Sequence, residues 1–283
     1  MKGKIINKPV VSIITPVYNA SKFIPRLLEC VKNQDIIACE HILVDDCSND
    51  DSFTLLSEAA LKNPNIKVIR LIKNSGPVVA RNEAIKHATG KYLAFLDADD
   101  YWLPNKSSVQ VEFMETTGAF MSFCDYRTIS EDGLLVGRRL SGFNKINVSK
   151  HFMTRYIGCL TVMINLEKDP DFKFLNIDPS IRAEDFVTWS HFIKKNGPAL
   201  RVPHDLARYT RVKNSRSSLN SKSALSIFFV YFKLEKTFIP KAVFYYICYI
   251  FFSLYKKSRY EPIFKSFMVD GEIAKFYLIK ESR

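Results

Sequence analysis

What this chain lacks narrows it first. It holds only 10 Gly and 12 Pro among 283 residues, too few for a collagen-like or low-complexity chain. No repeat of roughly 20–50 residues is visible, which excludes solenoids and propellers. The six cysteines (Cys30, Cys39, Cys47, Cys124, Cys159 and Cys248) form no CxxC pair and have no His at zinc spacing, so they read as reduced thiols of a cytosolic protein. No G-x-G-x-x-G follows the first apolar run, where TPVYNA stands instead; a dinucleotide-dependent enzyme needs those glycines. A Gly-rich phosphate loop with a Lys near the N-terminus is missing too, which argues against a nucleotidyltransferase. Lys2, Lys4 and Lys8 precede the apolar run Val10–Ile14, but Thr15-Pro16 stops that run before it reaches the length of a signal-peptide core. The chain is therefore expected in the cytoplasm.

What is present is ordinary in amount and uneven in place. Hydrophobic residues make up 47% and charged residues 25%, as in a folded globular protein. Residues 1–140 hold 17 Lys and Arg against 17 Asp and Glu, whereas residues 141–283 hold 24 against 12. The whole net charge of +12 thus lies in the second half, which implies an anionic partner there: a phosphorylated substrate, an acidic membrane surface or nucleic acid.

Strand and helix signals alternate over the first hundred residues. Val10–Ile14, His41–Val44, Ile66–Leu71 and Tyr92–Leu96 read as strands. Between them, the segment opened by Ser21, the segment Asp50–Leu61 and the segment Val78–His87 read as helices, the last closed by Gly90 as a C-cap. This alternation predicts an α/β sheet, largely parallel. Three polar clusters, Thr15–Asn19, Asp45–Ser48 and Asp97–Asp100, each begin where an apolar strand ends. Ligands of open α/β sheets bind outside the carboxyl ends of the strands, so these clusters should converge on one crevice.

Asp97 and Asp99 stand two apart, so on extended chain their carboxylates leave on one side. Two carboxylates without His or Cys suit Mg²⁺ or Mn²⁺, which takes its remaining ligands from water and substrate phosphates. Arg81 lies near the start of the helix that follows Asn74-Ser75-Gly76-Pro77, as a surface residue or as a group facing the crevice. Glu184-Asp185 heads a segment with Phe186, Trp189 and Phe192. The helix dipole favours acids in a first turn regardless of function, and an acid there is also a plausible general base.

Taken together, VSIITPVYNASKFI, ILVDDCSNDDS, NSGPVVARNEAIKHATGKYLAFLDADDYW and the later AEDF resemble glycosyltransferase family 2. The match is dense over residues 9–130 and sparse over 155–220. The resemblance implies the GT-A fold, an α/β architecture with a Rossmann-like mixed, mostly parallel sheet flanked by helices. It implies an enzyme that moves a sugar from a nucleotide-sugar, usually a UDP-sugar, to an acceptor hydroxyl with inversion, in bacterial surface-polysaccharide synthesis. Thr15, Pro16, Tyr18 and Asn19 would line the nucleotide pocket, Asp46 would bond the base, and Arg81 would face the nucleotide. Asp97 would approach the ribose or the metal, and Asp99 would be the main ligand of Mn²⁺ or Mg²⁺. Asp185 would be the catalytic base, with Glu184 touching the acceptor. The family usually has Gly or Ala where Cys47 stands. It often carries a Tyr-Arg pair and a His over the diphosphate, whereas here Thr210 separates Tyr209 from Arg211 and Lys213 replaces His. Arg211, Lys213 and Arg216 remain candidates for a phosphate clamp.

Thirteen aromatic residues lie between Ser226 and Tyr260, and the apolar stretch Ala242–Tyr255 is followed by Lys256, Lys257 and Arg259. A membrane span needs about 20 apolar residues, and this stretch is shorter. Aromatics beside Lys and Arg suit the lipid headgroup region; packing on the catalytic domain or on a second copy is the alternative. The expected organisation is a transferase domain over 1–220 (a nucleotide-binding half 1–130 and an acceptor-side half 131–220) and a helical, basic, aromatic-rich extension over 221–283. The expected partners are a nucleotide-sugar, a saccharide acceptor on a lipid and the inner face of the cytoplasmic membrane, with no nucleic acid. Segment 141–161 and the tail are the candidate acceptor side. A polyprenyl-phosphate sugar transferase of the same fold, or a non-catalytic carbohydrate-binding or scaffold protein, is the alternative.

Overall fold

Val11–Val17 forms β1, the central strand, and its β-branched residues are buried on both faces. Val11, Ile13 and Val17 pack into one core, whereas Ile14 packs into the other. A strand covered on both sides has no polar face to alternate with, hence its continuous apolar run. The computed structural model describes residues 9–35, 39–131, 135–139, 143–178, 183–212, 228, 230–231 and 238–258.

The first half is doubly wound. Strands β2 (Cys39–Asp45), β3 (Ile66–Arg70) and β4 (Tyr92–Phe95) join β1 in the parallel order β3-β2-β1-β4. Helices α1 (Ile24–Lys32) and α2 (Ser52–Lys62) bury Ile24, Leu27 and Leu56 against one face. Helix α3 (Pro77–Lys86) buries Ala80 and Ala84 against the other. The chain therefore changes direction across the sheet between β1 and β4.

The second half extends the sheet with mixed strands. After β5 (Tyr101–Trp102) and α4 (Lys106–Thr117) come β6 (Met121–Ser130), β7 (Leu135–Arg139), β8 (Lys145–Ile146) and α5 (Val148–Thr154). Strand β9 (Val162–Asn165), helix α6 (Glu184–Asn196), strand β10 (Ala199–Arg211) and helix α7 (Ile239–Ser258) follow. β9 runs antiparallel to both β4 and β6, and β6 pairs in parallel with β10. The β6–β10 register shifts between Val202 and Ala207. There the ion pairs Arg201–Asp125 and Arg127–Asp205–Arg208 lock the two strands. Phe95, Phe172, Phe174 and Trp189 stack where α6 crosses the sheet; full burial of such a side chain contributes about 1.5–3 kcal/mol.

The expected mixed α/β architecture is the one observed. One local reading is corrected. Helix α3 ends at Lys86 with His87 as its cap, so Gly90 is not a C-cap. Gly90 lies where the chain passes β1: a Cβ there would sit 2.8 Å from the Ser12 backbone N and Oγ. Its glycine serves close approach, not a left-handed turn. Lys213, Arg216, most of segment 221–237 and residues 259–283 lie outside the described residues.

Candidate active site

The direction change between β1 and β4 leaves their carboxyl ends without a crossing helix on one side, and ligands of doubly wound sheets bind at such a point. The ends of β1, β2 and β4 lie on the same sheet edge because the three strands are parallel neighbours. The clusters Thr15–Asn19 and Asp45–Ser48 straddle the ends of β1 and β2, which run further than the sequence suggests, and Asp97–Asp100 follows β4.

Backbone-to-side-chain bonds knit the clusters. Asn19 sits at φ 47, a left-handed conformation that Asn tolerates better than most residues. Its amide donates to Ser48 Oγ, and its Oδ1 accepts from the Asn49 amide. Asp46 is buried, and its two oxygens accept from the Ser75 and Gly76 amides at 2.7 and 2.8 Å. Asp46 thus holds the turn that starts α3, where Gly76 adopts φ 87. Cys47 also lies at positive φ (62), which explains why Gly suits this position. Thr15 is fully buried with its hydroxyl 2.9 Å from His41 Nε2; burial pushes His41 down to about 3. Pro16 is half-buried and Tyr18 exposed, so the latter two reach the edge with their side chains.

Arg81 is the centre of the charged group. Its Nη2 donates to Asp97 Oδ1 at 2.5 Å, its Nη1 stands 3.9 Å from Glu184 Oε1, and its guanidinium lies 5.2 Å from the Phe174 ring. Burial alone would lower its pKa, but Asp97 and Glu184 hold the guanidinium above its ordinary range. Its Nε and Nη1 are buried without a hydrogen-bond partner, donors suited to an anionic oxygen. Helix α6 begins at Glu184, with Asp185 Oδ1 accepting from the Phe186 amide at 2.7 Å.

Asp97, Asp99 and Asp100 crowd the turn after β4. Burial first, then the neighbouring Asp97, pushes the Asp99 carboxyl up to about 6. Asp100 is driven well above the usual carboxylate range by burial and by Asp99, while its Oδ1 accepts from the Thr210 amide. Among the described residues, no group of three or more His, Cys, Asp or Glu side chains forms a complete metal cage. Two crowded carboxylates nevertheless match a hard divalent cation that draws its other ligands from phosphates and water. Mutual repulsion at Asp99 is the feature such a cation relieves.

Two contributors had no mark in the sequence, and the contact of a third had none. Arg26, on α1, donates from Nη2 to the Asp99 carbonyl at 2.7 Å and to Thr210 Oγ1 at 3.3 Å. Cys159 is buried where the charges of Arg81, Asp97, Asp185 and Glu184 all act on it; burial, the largest of these effects, raises its thiol. Asp100 belongs to a legible acidic run, but its bond to Thr210 depends on β10. Arg211 is exposed at the end of β10, with the buried Thr210 beside it.

With this geometry in place, comparison decides the class. A family model described as glycosyl transferase family 2 matches residues 12–165. The chain belongs to glycosyltransferase family 2. TuaG of Bacillus subtilis, assigned to teichuronic acid biosynthesis as a glycosyltransferase, is 36% identical over 86% of this transferase and 95% of its own length. An Escherichia coli relative, the UDP-Glc:α-D-GlcNAc-diphosphoundecaprenol β-1,3-glucosyltransferase WfaP, is 33% identical over 75% of this chain and 80% of its own. Solved structures confirm the fold of the family 2 chain. Staphylococcus aureus TarS 1-349 in complex with UDP-GlcNAc superposes with a TM-score of 0.62 at 22% identity, covering 79% of this chain and 66% of that one. The mannosyltransferase PcManGT of Pyrobaculum calidifontis, in complex with GDP-Man and Mn²⁺, superposes with a TM-score of 0.63 at 15% identity, covering 98% of this chain and 80% of that one.

Proposed function

We propose that this family 2 enzyme moves a sugar from a UDP-sugar to a hydroxyl of a saccharide carried on a lipid diphosphate, with inversion, to build a surface-polysaccharide unit. The carrying observation is Arg81, which stands between Asp97 at the end of β4 and Glu184 at the start of α6. It joins the nucleotide side and the acceptor side of one site. The acceptor class is supported by the WfaP name, the basic second half and the aromatic C-terminal helix. The enzyme would work at the inner face of the cytoplasmic membrane. No helix among the described residues is long and apolar enough to cross a membrane. In this reading residues 1–220 form the transferase domain, split near 130 into nucleotide and acceptor halves, and 221–283 form the extension.

The nucleotide rests against Pro16, Tyr18, Asn19 and the Thr15 main chain, with Asp46 at the base and Arg81 and Arg211 toward the phosphates. Asp99, with Asp97, would hold Mn²⁺ or Mg²⁺. When bound, that ion offsets negative charge on the departing diphosphate. The Arg81 guanidinium would add positive charge on the same side. Glu184 orients the acceptor. Asp185 receives the proton of the attacking hydroxyl at Oδ2, because its Oδ1 is held by the Phe186 amide.

Titration with UDP, with and without Mn²⁺, tests this by thermal stability. A metal-dependent upward shift that Asp99→Ala abolishes is expected. A shift with GDP or dTDP alone would change the donor, and silence toward all three nucleotides would overturn the reading.

A further inference from the structure

Helix α7 shows two opposed apolar faces. Ala242, Tyr245 and Tyr249 are buried against α5, where Tyr245 Oη bonds Ser149 Oγ at 3.1 Å and its ring meets that of Phe152 edge-to-face at 5.2 Å. On the other side Phe244, Ile247 and Phe251 are 55%, 61% and 62% exposed, with Val243 and Ile250 exposed beside them. The spacing 243, 244, 247, 250, 251 is that of a single helical stripe. An exposed contiguous apolar stripe of this kind marks an interaction surface.

Charge decides what covers it. Helix α7 contains Lys241, Lys256 and Lys257 and no Asp or Glu. A second copy laid on the stripe would bring two cationic helices together, with no acidic residue in either to offset them. An anionic lipid surface offers phosphates to a cationic helix and acyl chains to the stripe. No helix among the described residues is long and apolar enough to cross a membrane, and α7 would lie in the interface plane.

The helix is also close to the chemistry. The ring of Phe186, which follows Asp185, lies 5.9 Å from Phe152 and 5.9 Å from Tyr231, and both of these pack against Tyr245 of α7. Arg155 bridges the same layer, 5.0 Å from the Phe186 ring and 5.7 Å from that of Tyr249. One aromatic layer separates the exposed stripe from the start of α6.

We infer that the Val243–Phe251 stripe of α7 is an in-plane docking surface for anionic lipid, which sets the bilayer beside Asp185 where a lipid-linked acceptor must arrive. The inference deepens the proposed function and rests on it only for the acceptor. Cosedimentation of the full-length protein with phosphatidylglycerol–phosphatidylcholine vesicles tests it, against phosphatidylcholine alone. Binding should require the anionic lipid, weaken with salt, and fall about tenfold or more in Phe244→Ser/Ile247→Ser, while the variant keeps the wild-type thermal response to UDP. No binding by the wild type, variant binding within about twofold of the wild type, or a wild-type dimer that the variant splits without any lipid binding would overturn it. A protein that responds to UDP but ignores vesicles sinks only the docking surface. One that binds vesicles but no nucleotide sinks only the proposed reaction.

Discussion

The Arg81 guanidinium and the Asp97 carboxylate meet at 2.5 Å, sixteen residues apart in sequence. One side chain comes from α3 and the other from the end of β4, so the pair spans the point where the chain changes direction across the sheet. Arg81 is buried and its remaining donors are unpartnered, whereas Asp97 keeps some exposure. The pair therefore fixes a buried guanidinium at the end of β4.

Arg81→Lys should keep a positive charge near Asp97 and lose the planar fork. We expect the folded protein to persist and turnover to fall about 10²–10³-fold. Steady-state kinetics decide this: turnover within about twofold of the wild type would show that the fork itself is not used.

Asp185→Asn preserves the shape of the side chain and its bond to the Phe186 amide while removing the base. Transfer should drop by about 10²–10⁴-fold, with the UDP-dependent thermal shift unchanged. Near-normal turnover would remove Asp185 from that role.

Glu40 carries a pH prediction. Its carboxylate is buried and accepts from Ser12 Oγ, the Thr89 amide and hydroxyl, and Lys67 Nζ. Burial opposes ionisation, but these donors outweigh it and hold the pKa below the ordinary value. A carboxylate depressed in the folded state stabilises above its unfolded pKa, about 4.3, and loses that contribution as pH falls through the folded value. Glu40→Gln should thus cost about 1–3 kcal/mol at neutral pH and progressively less below about pH 4. Denaturant titrations of both proteins across this range measure it; a pH-independent difference would refute it.

Gly90→Ala and Gly76→Ala should both destabilise, for different reasons. At Gly90 the added methyl meets Ser12 backbone at 2.8 Å, and the strands must part; overpacking of this kind costs about 1–3 kcal/mol. At Gly76 nothing lies within 4 Å, so only its backbone opposes the change: φ 87 with ψ 164 is a conformation essentially confined to glycine, and a side chain there costs about 1–3 kcal/mol. Thermal melts should place both variants below the wild type, and a Gly90→Ala protein that melts with the wild type would contradict the close-approach reading.

Much of this was legible in one dimension for a definite reason. β1, β2 and β4 are buried on both faces, so each appears as an apolar run ending in polar residues, and the order of those runs resembled one family. Thr15–Asn19, Asp45–Ser48 and Asp97–Asp100 could be placed on one edge because parallel strands share a direction. The close approach of Gly90 to Ser12 leaves no local pattern, so the sequence alone suggests a C-cap there. The same limit hid β5 and the shifted register of β10, where Asp125, Arg201 and Asp205 replace a simple alternation.

By itself, then, the sequence determined the family, the α/β architecture and the acidic and basic residues at strand ends, since these follow from local burial and turn chemistry. Only the tertiary structure decided which of them meet. Asp46 binds amides 29 and 30 residues away, Arg26 reaches the Asp99 carbonyl across 73, and Asp100 receives the Thr210 amide across 110. Contacts at such separations depend on how helices and strands pack, and the residues beside them in the chain carry no trace of it.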